Sequence, residues 1–121
     1  MQTVTIFKEL TFDAAHFLPN VPEGHKCRNI HGHTYRLKVF ISGPIDNNTG
    51  WVADFSVIKN SVKTIVEQVD HKFLNHVEGL DNPTCELLAK WLWGKIKPLV
   101  PGLKKIELHE TPTSGVIYEE G

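Results

Sequence analysis

The sequence predicts an α+β domain in which an antiparallel four-stranded sheet is covered on one face by two helices. Three observations carry that prediction. Two long segments near the N-terminus alternate apolar and polar residues, two central stretches repeat apolar residues at three- and four-residue spacing, and two shorter alternating segments follow them. The order is strand, strand, helix, helix, strand, strand.

Residues 2–16, QTVTIFKELTFDAAH, place Val4, Ile6, Leu10, Phe12, Ala14 and His16 on one side of a strand, with Lys8 the exception. FLPNVPEGHKCRNI contains two prolines and a glycine and reads as a loop. HGHTYRLKVFIS alternates again and puts His31, His33, Tyr35, Leu37, Val39 and Ile41 on one side. GPIDNNTG is a dense turn signal, and WVAD is a short extended lead-in. From Phe55 onward, Ile58, Val62, Ile65, Val66 and Val69 fit an amphipathic helix ending near Asp70 and His71. Asn82-Pro83 predicts the second helix start, with Asn as the cap and Pro in the first turn. Leu87, Leu88, Trp91, Leu92 and Ile96 continue it until Pro98. LKKIELHET is a strand with Ile106, Leu108 and Glu110 on one side, TPTSG turns the chain, and GVIYEE is the last strand.

No repeat, low-complexity run or linker interrupts this order, so residues 1–121 are expected to form one domain. Four strands leave two open sheet edges. Pairing them between subunits would protect them, so an oligomer is expected. Thirteen basic and fourteen acidic residues give a net charge of −1, and no basic stripe suits a nucleic-acid backbone. The N-terminus lacks the charged and apolar regions of a secretion signal, and no apolar run approaches membrane-spanning length. A soluble cytoplasmic protein with no membrane partner is expected, its two cysteines, Cys27 and Cys85, reduced.

If the first two strands pair antiparallel, the end of one lies beside the start of the other, and His16 meets His31 and His33. The last two are two residues apart and point the same way, on the faces turned toward the helices. Three neutral imidazoles can hold zinc tetrahedrally and leave a fourth position for water or substrate. His25, His76 and His109 sit in loops or off the convergent face and read as surface or locally satisfied histidines.

Cys27 leaves three readings open. It could close the metal site as a fourth ligand, stand beside it as an acid or base, or fill space as a small buried hydrophobe. The flanking Lys26 and Arg28 argue against the last. Asp70-His71 could form a proton relay, which requires proximity to Cys27, or could simply cap a helix. Glu110 turns a carboxylate inward at the end of an apolar strand, where the paired N–H groups of a heterocycle would suit it.

FDAAH, CRNIHGH, GWVADF, DHKFLN, NPTCELLAKWLW and HET, in this order and across nearly the whole chain, resemble the 6-pyruvoyltetrahydropterin synthase family. The three-residue gap between Cys27 and His31 resembles its bacterial, carboxy-producing branch of the queuosine pathway. The resemblance implies a tunnelling fold whose ββααββ subunits form barrels by oligomerisation, commonly as homohexamers with active sites between subunits. It implies zinc on His16, His31 and His33, Cys27 as catalytic proton acceptor, Asp70 and His71 as relay, and Glu110 as pterin anchor. The implied reaction converts 7,8-dihydroneopterin triphosphate to 6-carboxy-5,6,7,8-tetrahydropterin, releasing acetaldehyde and triphosphate. No nicotinamide is needed, in keeping with the absence of G-x-G-x-x-G.

Thr84 would meet a pterin edge at a helix start, with Cys85 packing behind it. Lys26, Arg28 and His25 are near enough in sequence to meet a triphosphate, yet read more readily as loop charges. A pyruvoyl product is the alternative within the family. A non-catalytic zinc protein with Cys27 as fourth ligand is the alternative outside it.

Overall fold

The computed structural model describes residues 2–120. Strands β1 (Thr3–His16) and β2 (His31–Pro44) pair antiparallel over their full length, from Thr3 opposite Pro44 to His16 opposite His31. The alternation read from sequence is the one that buries: Phe12, Ala14 and His16 on β1, and Tyr35, Leu37, Val39 and Ile41 on β2, face the helices.

Helix α1 (Phe55–Val66) starts at Asp54, whose carboxylate accepts the Ser56 N–H at 2.8 Å, and buries Ile58, Val62, Ile65 and Val66. The helix stops at Val66, four residues before the expected end. Val69 still reaches the core because the chain continues in hydrogen-bonded turns, Val69 N–H to Val66 O and Asp70 N–H to the same carbonyl.

Helix α2 (Cys85–Ile96) is capped by Thr84, not by the expected Asn82. The hydroxyl of Thr84 accepts the Leu87 N–H at 3.1 Å. Had Asn82 been the cap, the Pro83 carbonyl would have taken that N–H; it is instead engaged by the His16 ring. The inward residues are Cys85, Leu88, Ala89, Leu92, Trp93 and Ile96. Leu87 faces solvent and leaves the expected core face, whereas Trp91 packs half-buried against the core edge, its indole N–H donating to the Glu78 carbonyl.

The sheet has five strands, not four, in the order β3-β1-β2-β4-β5. The unforeseen member is β3 (Lys72–Phe73), which lies parallel to β1 with Ala14 opposite Lys72. Two residues carry no periodic signal. What creates β3 is His71, whose φ of +59° turns the chain so that its N–H donates to the Asp13 carbonyl at 2.6 Å.

Strand β4 (Leu103–Thr111) pairs antiparallel with β2. A bulge leaves Lys104 as an extra residue between the Phe40–Lys105 and Ile41–Leu103 pairs. That irregularity lets Leu103 face inward together with Ile106 and Leu108, which strict alternation forbids. Strand β5 (Ser114–Tyr118) returns along β4 through a tight turn. Gly115 is required there: a Cβ would lie 2.5 Å from the Leu108 carbonyl oxygen.

The helices cover one face of the sheet, and the core between the layers is continuous from Phe12 to Leu108. On the other face Phe7 and Ile117 are exposed. No helix among the described residues is long and apolar enough to cross a membrane.

Candidate active site

The end of β1 and the start of β2 bring three imidazoles together under the N-terminus of α2. One ring nitrogen from each of His16, His31 and His33 lies within 4.8 Å of the others. The outer nitrogens of His16 and His31 are spoken for. His16 Nδ1 is 2.8 Å from the Pro83 carbonyl, and His31 Nδ1 is 2.7 Å from the Asn29 carbonyl. A carbonyl only accepts, so both Nδ1 atoms carry the proton and donate it.

In neutral rings the inner Nε2 atoms are then bare, yet those of His16 and His31 stand 3.0 Å apart. Two lone pairs at that distance repel unless a cation lies between them. A proton is disfavoured: burial holds His16 and His33 below their ordinary value of 6.5, and the neighbouring imidazoles act the same way. His33 Nε2 is buried and has no hydrogen-bond partner; the Glu110 carboxylate approaches it at 3.3 Å at an angle that makes no bond. Converging bare nitrogens with their outer N–H groups anchored are the donor set of a metal site, and the residues fit a divalent ion.

Cys27 sits in a 3₁₀ turn, Lys26–Arg28, whose start is capped by the His25 ring accepting the Cys27 N–H. It is not among the ligand atoms gathered within 4.8 Å. It lines a cleft of about 390 Å³ together with Lys26, His31, His33, Glu110 and Thr111. Arg28 turns away and donates to the Pro19 and Val21 carbonyls, which makes it a brace of the loop.

Glu110 also borders a second cleft of about 380 Å³ with Leu18, Thr84, Cys85 and Glu86, so one carboxylate stands between two recesses. Thr84 spends its acceptor on the helix cap but keeps a hydroxyl proton. Cys85 packs as expected: its thiol donates to the Leu108 carbonyl at 3.5 Å, and burial, aided by Glu110, pushes it up to about 12.

Asp70 and His71 do pair, at 3.0 Å. The Asp13 N–H, donating to Asp70 at 3.0 Å, is the main cause holding that carboxyl below its ordinary range. The pair does not meet Cys27 within the chain. His71, its side chain 77% exposed, lines a different cleft of about 440 Å³ with Asp13, Gly32, Thr34 and Lys72, which shares only His33 with the Cys27 cleft. Sequence reading missed Asp13, which joins Asp70 and His71 in a second cluster, because its parity puts it on the uncovered face. His25, His76 and His109 stay outside the cluster: His25 caps its turn, His76 packs edge-on to Phe73, and His109 meets Glu107 at 3.3 Å.

Residues 5–121 match the family described as 6-pyruvoyl tetrahydropterin synthase. A 6-carboxy-5,6,7,8-tetrahydropterin synthase from Synechocystis sp. is 42% identical over 119 residues, covering 93% of this chain and 91% of that protein. A dihydroneopterin monophosphate aldolase from Pyrococcus furiosus is 36% identical over 117 residues, covering 94% and 96%. The solved 6-pyruvoyl tetrahydropterin synthase of Caenorhabditis elegans superposes with a TM-score of 0.92 at 29% identity, over 100% of this chain and 98% of that one. Sequence, fold and the arrangement of histidines converge, and the chain belongs to the 6-pyruvoyl tetrahydropterin synthase family.

Proposed function

We propose that the protein is a zinc-dependent lyase that converts 7,8-dihydroneopterin triphosphate and one water to 6-carboxy-5,6,7,8-tetrahydropterin, acetaldehyde and triphosphate, in the cytoplasmic route to queuosine. The observation that carries this reading is the cleft in which Cys27, two of the three clustered histidines and Glu110 share one wall. His16, His31 and His33 would hold the zinc, which when bound polarises side-chain hydroxyls and acidifies the neighbouring C–H.

Each of the chain's own groups has a task. Cys27, outside the ligand cluster and open to the cleft, takes up the proton from the substrate side chain. Glu110, between the two recesses, accepts paired N–H groups of the pterin ring and so directs its side chain toward the histidines. Thr84 offers its hydroxyl proton to the ring edge. Asp70 orients His71, which returns a proton to the product.

Because Cys27 and His71 line separate clefts, the relay acting on a given substrate comes from a neighbouring copy. This supports active sites between subunits of a homo-oligomer, for which the family resemblance implies six copies.

The test is one pair of variants, each assayed for bound zinc and for acetaldehyde release. Cys27→Ala is expected to keep its zinc and lose turnover by at least about 10²-fold, and His31→Ala to lose both. Loss of zinc in Cys27→Ala would make the thiol a fourth ligand and the protein a non-catalytic metal binder. Mass spectrometry of the product separates the carboxy from the pyruvoyl reaction.

A further inference from the structure

We infer that Tyr35 is a positioning residue for the metal centre, its buried hydroxyl standing 3.5 Å from the outer nitrogen of His16; the inference rests on the metal-binding reading above. Tyr35 follows His33 by two residues on the same face of β2 and is completely buried. Its ring stacks on Phe12 at 4.9 Å and stands edge-on to His33 at 5.6 Å and to His16 at 6.3 Å. Two of the three clustered rings therefore lean on one phenol.

The hydroxyl explains why the phenol is there. Among the described residues its hydrogen-bond partner is His16 Nδ1, at 3.5 Å. That nitrogen already donates to the Pro83 carbonyl at 2.8 Å, so the Tyr35 oxygen is a second, longer acceptor of the same proton.

A carbonyl alone fixes the direction of one N–H but lets the imidazole tilt about it. The Tyr35 oxygen 3.5 Å from the same nitrogen, on a phenol that stands edge-on to the imidazole, limits that tilt and helps hold Nε2 on the point shared with His31 and His33. A buried hydroxyl without such a use would cost stability that phenylalanine, with the same stack on Phe12, would spare. His31 has no second acceptor of this kind; its Nδ1 meets only the Asn29 carbonyl.

The experiment compares wild type, Tyr35→Phe and Phe12→Leu by zinc titration against a chromophoric chelator and by the visible spectrum of the cobalt-substituted protein. Tyr35→Phe is expected to weaken zinc about 10-fold or more and to shift the cobalt bands, at unchanged far-UV circular dichroism. Phe12→Leu loosens the same stack without touching the hydroxyl and is expected to retain wild-type affinity.

Equal affinity and superposable cobalt spectra in Tyr35→Phe would overturn the inference while leaving the metal centre intact. A loss in Phe12→Leu as large as in Tyr35→Phe would overturn it too, since core packing would then be responsible. A wild-type protein that takes up no zinc would refute the metal reading and the inference with it.

Discussion

The buried imidazoles of His16 and His33 dictate how the metal-free protein answers to acid. Burial lowers His16 and His33, so between the ordinary value of 6.5 and the depressed folded values the unfolded chain binds protons that the folded one refuses. Their contribution to stability is complete above about 6.5 and is lost as pH falls below it. Urea denaturation of the metal-free protein at pH 7.5 and 5.5 should show that loss, and His16→Gln should shrink it; an identical loss in both would contradict the assignment. Glu110 makes a second prediction at this scale. Under the proposed function, Glu110→Gln replaces a charge-assisted pair of hydrogen bonds, worth about 1.5–3 kcal/mol, and should raise KM about 10-fold or more. An unchanged KM would remove it from the substrate. The three histidines were legible because parity and strand pairing alone bring them together. The Pro83 and Asn29 carbonyls and the Tyr35 hydroxyl were not, since backbone acceptors have no residue signature and Tyr35 reads as one more core position.

Among the elements, those with several turns or many alternations announced themselves, and those made by a single contact did not. Strands β1 and β2 and helix α1 follow apolar periods that burial then obeys. Strand β3 forms where His71 adopts a left-handed conformation, a tertiary event that no local pattern encodes. The start of α2 at Thr84 is set by that residue's own hydroxyl, a local cap signal that competed with Asn82 in the sequence. The β4–β5 return is equally strict: Gly115→Ala would drive a methyl against the Leu108 carbonyl. We expect that variant to lose about 1–3 kcal/mol of stability in chemical denaturation, the cost of overpacking without room to relax. Wild-type stability would mean that the turn yields easily.

For the whole molecule, the separation of Cys27 from His71 is the feature that sequence order left open, because no local pattern fixes the distance between two motifs on different elements. Co-expressing Cys27→Ala with His71→Ala chains should restore activity that neither variant has alone. Random assembly would give about a quarter of the sites an intact pair. No recovery would mean that each chain works by itself.

The hydrogen bond from His31 to the Asn29 carbonyl reaches beyond the ring it anchors, for Asn29 also closes the turn that carries Cys27. Under the proposed function, stripping the zinc with a chelator should slacken that turn, so the sulfhydryl of the stripped protein should be alkylated by iodoacetamide faster and survive air more briefly. Restoring zinc should slow both, and equal rates with and without it would show that the two ends of this short span are uncoupled. The same bond that seats the ion would then also govern how long a preparation keeps its thiol.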